Sequence, residues 1–405
     1  MGGKVNNRGM REVNRALVLD LIRRAERTSR SEIARASKLT KPTVGAIVEG
    51  LLSAGVIREI GPDNRGAGVG RKARLLELND ASAAYLSIHF SVGQTQVAIA
   101  DALGEILVVE QKAHRSHDPD EAMQTVKELV RKGLKVAKVP KTRVQAAGVV
   151  IPGLVDQRSG ECVLAPNLGW ERIPLRDMTA AALGVPVSVH NITQAAALAE
   201  ARVGAARGLG SFVWVYAGTG VGASFVFDGE LYLGRRGFSG EIGHCRVEDA
   251  GVLCRCGHRG CLETRVAEPG VLRELNKALA ERTDSVLANP DKRNLIDLIA
   301  AARGGDALAR RVLGDAGTYL GLGLSFLANL LNVPTFVIGG RIAEAGDVFL
   351  DAAQQSLCDN ALLPNGLRVI QSELAQSAGL RGGVFAALEL HQRAPRVVGG
   401  RAALS

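Results

Sequence analysis

The 405-residue chain contains no apolar run long enough to span a bilayer, and its N-terminus lacks the apolar core of a secretion leader. Both absences argue against a membrane-embedded or exported protein. Cysteine is scarce as well. Three of the six cysteines crowd into residues 254–261, while Cys162, Cys245 and Cys358 lie scattered. That distribution offers no disulfide framework and favours a reducing cytoplasm. What remains is a globular composition, 46% hydrophobic and 22% charged, on a length that suggests two or three domains with ample core.

Charge is unevenly placed. Residues 1–80 hold 16 Lys and Arg against 9 Asp and Glu, a net +7, whereas residues 81–405 hold 34 against 32, a net +2. A small basic head on a near-neutral body suits contact with a polyanion. Within the head, Met10 to Ala25 reads as a helix with Val13, Leu17, Leu21 and Ile22 on its buried side. Ser29-Arg30-Ser31-Glu32 is a capping box that opens a short second helix ending near Ser37. Lys38 and Leu39 form a turn. Thr40 caps a third helix, with Pro42 in its first turn and Val44, Ile47, Val48, Leu51 and Leu52 as its apolar stripe. Helix, short helix, turn, helix is the helix-turn-helix order, in which the third helix enters the DNA major groove. Val56–Ile60 and Arg71–Leu78 read as the strands of a wing around a Gly-rich loop, the second alternating at Ala73, Leu75 and Leu78. The expected DNA contacts are Lys38, Thr40, Lys41 and Thr43 at the turn and helix start, with Arg71 and Lys72 at the basic tip of the wing.

Asn79-Asp80 closes this 1–80 domain. Tyr85–Phe90 and Gln96–Ala100 then read as strands around a turn. The plan returns at Phe212–Ala217 and Ala223–Phe227, around Gly218-Thr-Gly-Val-Gly222. Each unit opens a run of alternating strands and helices. The repeat predicts an α/β body of two related lobes, 81–195 and 196–393, with a ligand cleft between them and the end of the chain packing back on the first lobe. The tail, 394–405, is expected to be mobile. Ala165-Pro-Asn-Leu-Gly-Trp170 pairs an amide with an aromatic ring, an arrangement that suits a sugar or simple packing. Asn191 stands at the end of a strand over Val187–His190.

The densest chemistry lies between Gly237 and Glu263. His244, Cys254, Cys256 and Cys261 follow a His-x9-Cys-x-Cys-x4-Cys spacing. One imidazole and three thiolates form a closed tetrahedral set that suits Zn2+. His258 and Cys245 lie near enough in sequence to substitute as ligands. Glu241 and Glu263 flank the cluster, so a metal knot would fix two carboxylates in a frame that accepts sugar hydroxyls.

The stretch G-F-S-G-E-I-G-H with C-R-C-G-H-R-G-C-L-E resembles the signature of the ROK family of repressors, open reading frames and sugar kinases. The likeness extends over nearly the whole chain. The head resembles the winged helix-turn-helix of the family's repressors, such as those of xylose and N-acetylglucosamine genes. The body resembles the two-lobed, actin-like fold of its sugar kinases. The resemblance implies one structural zinc on His244, Cys254, Cys256 and Cys261. It implies sugar contacts from Asn167, Asn191, Glu241, His244 and Glu263, and a homodimer or homotetramer. His244 would serve metal and sugar through its two ring nitrogens.

Two departures from the family pattern argue against catalysis. Kinases of the family place an Asn-Asp pair before an Ala-rich helix, and the Asp is the general base; here the pair is Asn191-Ile192. Their first phosphate loop reads Asp-x-Gly-Gly-Thr, and the matching residues are His89, Phe90, Ser91, Val92 and Gly93. Only the second turn, Gly218–Gly222, survives. Losing a general base costs about 10²–10⁴-fold. The expectation is a regulator without kinase activity, reading an inverted repeat as an oligomer and controlled by a sugar or sugar phosphate. The alternatives are a sugar kinase with an accessory head and a ligand-independent DNA-binding protein.

Overall fold

The structure, a computed structural model, describes residues 14–393 apart from 16, 20, 24, 26, 54, 63–72, 92, 114–117, 282–284, 290 and 292. Val13, Arg71, Lys72, Val92 and the tail 394–405 therefore lie outside the described residues. Among the described residues no helix is long and apolar enough to cross a membrane.

The head begins with helix α1, described from residue 14 to residue 25. Val18 and Ile22 are its fully buried residues, while Leu17 is 38% exposed. The expected stripe is thus one residue out of phase at that point, because 17, 18, 19, 21 and 22 are all apolar and periodicity alone cannot choose among them. A two-residue strand, β1 (Thr28–Ser29), leads into α2 (Arg30–Ser37). The capping box forms: Ser29 N donates to Glu32 Oε2 at 2.8 Å and Glu32 N donates to Ser29 Oγ at 3.3 Å. Lys38, with φ 57°, turns the chain into α3 (Lys41–Ser53), where Thr43 N donates to Thr40 Oγ1 at 3.3 Å. Val44, Val48 and Leu51 are fully buried; each such burial contributes about 1.5–3 kcal/mol. Strands β2 (Ile57–Pro62) and β3 (Arg74–Leu78) complete an antiparallel sheet of order β1-β3-β2. In β3 the buried residues are Leu76 and Leu78, whereas Ala73 is exposed and Leu75 half-buried. A register set by pairing with β1 and β2 buries Leu76 in place of Ala73 and Leu75, and keeps Leu78 as expected.

The body is built from two sheets of one plan. The first uses β4 (Ala84–Ser91), β5 (Gln94–Ala100) and β6 (Ile106–Ala113) as an antiparallel meander. After α4 (Pro119–Val136), β7 (Val144–Ile151) joins parallel to β4. A small meander follows, β8 (Leu154–Asp156), β9 (Glu161–Ala165) and β10 (Trp170–Ile173). Then α5 (Leu175–Leu183) leads to β11 (Val187–Asn191), parallel to β7. Helix α6 (Ile192–Val203) carries the chain to the second sheet.

There β12 (Phe212–Ala217), β13 (Val221–Phe227) and β14 (Glu230–Tyr232) repeat the meander. After α7 (Glu263–Val266), α8 (Glu268–Glu281), α9 (Leu295–Arg303) and α10 (Ala307–Leu331), β15 (Thr335–Gly339) joins parallel to β12. Helix α11 (Asp347–Asn360) precedes β16 (Arg368–Gln371), parallel to β15. Sheet orders β6-β5-β4-β7-β11 and β14-β13-β12-β15-β16 are the same topology twice.

The last helix, α12 (Ala378–Arg393), returns to the first sheet. Leu380, Val384 and Leu388 pack on Tyr85, Ala98 and Ala146, while α4 covers the opposite face through Val126 and Leu129. Helix α6 lays Ala196 and Ala197 on the second sheet beside Trp214 and Val226, and α6 and α12 pack against each other between the sheets.

Candidate functional site

The loop after β14 lies along the backbone of β13. Ala223 N donates to Gly240 O at 2.7 Å, and a Cβ at Gly240 or Gly243 would collide with Ala223 O or Val221 O. Only glycine allows that approach. The short turn Ile242–His244 then sets His244 against the cysteine loop. The ligand atoms of His244, Cys254, Cys256 and Cys261 all lie within 4.8 Å of one another. Cys256 Sγ is 3.6 Å from Cys261 Sγ, and Cys254 Sγ is 3.7 Å from His244 Nδ1. A tetrahedron with metal–sulfur arms of about 2.3 Å has edges of about 3.8 Å, so the donor set fits one zinc-sized ion.

Of the two other candidate ligands, Cys245 lies outside this group, and His258 places Nδ1 3.5 Å from Cys256 Sγ as a neighbour of the cluster. Hydrogen bonds from the His258 backbone and ring hold Cys256 down at about 6. Burial, with the other two thiols adding, pushes Cys261 up to about 12. Three thiolates this close repel one another unless a cation lies among them.

Two carboxylates converge beside the cluster. Glu241 Oε2 is 4.0 Å from His244 Nε2, the ring nitrogen turned away from the cysteines. Half of the Glu241 side chain reaches solvent, yet the surrounding protein desolvates its carboxyl and raises its pKa; Glu263 pushes the same way and His244 opposes. Glu263 opens α7 and accepts from Val221 N through Oε2 at 3.1 Å. A Cβ at Gly220 would sit 2.9 Å from that oxygen. The surviving turn Gly218–Gly222 therefore holds this chain's own carboxylate.

Asn191 stands at the C-terminal end of β11 and caps α6. Its Nδ2 donates to Gly153 O at 2.7 Å, and its Oδ1 accepts from Thr193 N and Thr193 Oγ1, both at 2.7 Å. Ser224 Oγ donates to Thr193 Oγ1 at 2.9 Å, which ties this corner of the first lobe to β13. Sequence reading missed Thr193 and Ser224, since neither belongs to a local motif. Asn167 is exposed on the turn Pro166–Leu168, and no described contact brings it to the carboxylates. Of the two readings of the Ala165–Trp170 loop, packing holds for the ring. Trp170 is 3% exposed and meets Phe90 edge-on at 5.1 Å, so its ring belongs to the core of the first lobe.

No acid stands at the two substituted positions. Ile192 begins α6, and burial holds the His89 imidazole below its ordinary pKa, so it is neutral at pH 7.

In the head, Lys38, Thr40 and Lys41 are exposed, and the half-buried Thr43 shares a hydroxyl contact with Thr40 at 2.8 Å. Other arginines of the head are taken up in ion pairs. Arg30 bonds Glu49 at 2.7 Å and Glu59 at 2.8 Å, Arg74 bonds Glu59 at 2.6 Å, and Arg58 bonds Glu77 at 2.7 Å. Among the described residues no ion pair engages Lys38 or Lys41, so part of the net charge is concentrated at the start of α3.

A family model described as the ROK family matches residues 85–390. The chain belongs to the ROK family. This ROK chain is 26% identical over 383 residues to the xylose repressor of Caldicellulosiruptor bescii, covering 93% of this chain and 96% of that one. A solved ROK family transcriptional regulator, described as a homolog of the E. coli MLC protein, superposes with a TM-score of 0.84 at 27% identity, over 95% of this chain and 96% of that one. A ROK glucokinase from Streptomyces griseus, solved with glucose and AMPPNP, superposes with a TM-score of 0.67 at 26% identity. It covers 76% of this ROK chain and 100% of its own, so about a quarter of this chain has no counterpart in the kinase. The regulator matches 95% of this chain.

Proposed function

We propose that this ROK chain is a sugar-responsive transcriptional repressor whose head, residues 1–80, is a winged helix-turn-helix. The observation that carries this reading is the exposed, cationic start of α3, with Lys38, Thr40 and Lys41 on a capped helix pair. Thr43 and, on the wing, Arg71 and Lys72 complete the DNA contacts. Paired heads of a homo-oligomer read an inverted repeat.

The ligand side rests on Glu241, His244 and Glu263, three polar groups facing one corner of the cleft, with Asn191 and Asn167 as further sugar contacts. Zinc on His244, Cys254, Cys256 and Cys261 is structural: it closes the loop and fixes the His244 ring. Kinase activity is absent, because Ile192 offers no proton acceptor and Glu263 already bonds the amide of the remaining turn.

The deciding experiment is selection of duplexes from a random DNA pool at fixed, near-physiological salt, with and without a mixture of sugars and sugar phosphates. A palindrome whose enrichment the mixture changes is the expected result. Enrichment of no sequence would remove the DNA-reading head, and sugar-dependent ATP turnover would restore the kinase reading. Lys41→Ala is expected to relax the selected sequence.

A further inference from the structure

We propose that α12 and the β5–β6 turn form the mechanical link between the cleft and the head; this rests on the reading that the cleft controls the head. Helix α12 runs for 16 residues, about 24 Å at 1.5 Å per residue, between the two sheets. Its first turn lies on the residue after Asn191. A Cβ at Gly379 would sit 3.0 Å from Ile192 Cγ1, closer than the 3.5–4.0 Å of ordinary carbon contact. One turn further, Gly382 and Gly383 leave no room for side chains: Ala195 O of α6 and Ser87 Oγ of β4 stand against them. A packed interior of this kind transmits a displacement instead of absorbing it.

From its middle and from its last turn, α12 reaches the head by two routes. The Phe385 ring packs on Gly104, where a Cβ would stand 3.0 Å from Cε1. Gly104 belongs to the turn after β5, whose preceding residue, Leu103, packs against the apolar core of the head. In the same turn Ala102 N donates to Asp80 O at 3.2 Å, at the junction of head and body. Independently, the Arg23 guanidinium of α1 donates to the Gln392 side-chain oxygen at 3.2 Å when that amide is oriented to accept. One rigid element therefore touches Ile192 at one end and, directly or through Leu103, the head further along.

Contiguity alone does not establish coupling, and a double-mutant cycle does. Hydrogen exchange of the full zinc-loaded chain is read by mass spectrometry on α1–α3, in Gly379→Ala, Leu103→Ala and the double variant. Gly379→Ala presses α12 away from Ile192. It is expected to change exchange in the head by about fivefold or more, the lower end of typical coupling. In the Leu103→Ala background the same change should be blunted. An unchanged head in Gly379→Ala, or two effects that simply multiply, overturns the link. Ile192→Val loosens the same contact from the other side with little risk to folding, and a head that ignores it also overturns the proposal. The readout uses neither DNA nor sugar. Failure of the regulator reading would show in the duplex selection instead, while failure of the link alone would leave a protein that selects DNA with a head indifferent to α12.

Discussion

The two sheets share one topology, but the ends of their first hairpins differ in chemistry. In the first sheet, His89 is buried and neutral, and Phe90 packs on Trp170. The strand end that leads into the turn there belongs to the apolar core. In the second sheet, the Gly218–Gly222 turn keeps its close-approaching backbone and binds Glu263. Strand order follows from buried alternation spread over many residues, whereas the chemistry of a turn depends on a handful. A fold repeated twice can thus retain a polar site on one side and lose it on the other.

The largest test of this asymmetry is the metal. Structural zinc contributes on the order of 10 kcal/mol to the folding of such loops, so Cys261→Ser should take bound zinc from one equivalent per chain to near none by elemental analysis. Hydrogen exchange should rise around β13 and α7 and remain unchanged in β4 and β7. Next in size, Glu263→Ala is expected to weaken sugar binding about 10–100-fold by calorimetry, as loss of charge-assisted hydrogen bonds does. Ser91→Ala, at the matching end of the first hairpin, should leave it unchanged; equal losses would erase the distinction between the turns.

Smaller effects concern pH and have opposite signs. The folded pKa of His89 is depressed by burial. Below the unfolded value of about 6.5 the unfolded chain takes up a proton that the native ring resists, and stability falls as pH drops towards the folded pKa. His89→Leu should flatten that slope in urea titrations at pH 8 and 5.5. Glu241 has a raised folded pKa, so its contribution to stability improves as pH falls through that value, while its ability to accept a sugar hydroxyl declines. Glu241→Gln should remove this smallest effect from a calorimetric pH series.

Local chemistry was legible in the sequence; register and long-range packing were not. The Ser29–Glu32 box and the Thr40 cap involve residues three apart, and the His244 to Cys261 cluster spans eighteen positions of chain. Both can be read without knowing the fold. The choice of Val18 over Leu17, and of Leu76 over Leu75, depended on which neighbours arrived from elsewhere. For Trp170 the sequence leaves sugar contact and packing both open, because Phe90, the ring it packs on, lies eighty residues earlier. Helix α12 lies against the first sheet on one side and α6 on the other, and the role of its glycines is visible only once Ile192 and Ser87 are in place.

The orientation of the His244 ring has a consequence for any group that His244 and Glu241 would share. With Nδ1 facing the cysteines, a metal-bound ring must carry its proton on Nε2, beside Glu241. The tautomer is then fixed, and the imidazole becomes a one-way donor. Glu241, once ionised, is a one-way acceptor. A hydroxyl group satisfies both at once, since it offers a lone pair to the ring and a hydrogen to the carboxylate; an ammonium group or a bare carboxylate satisfies only one.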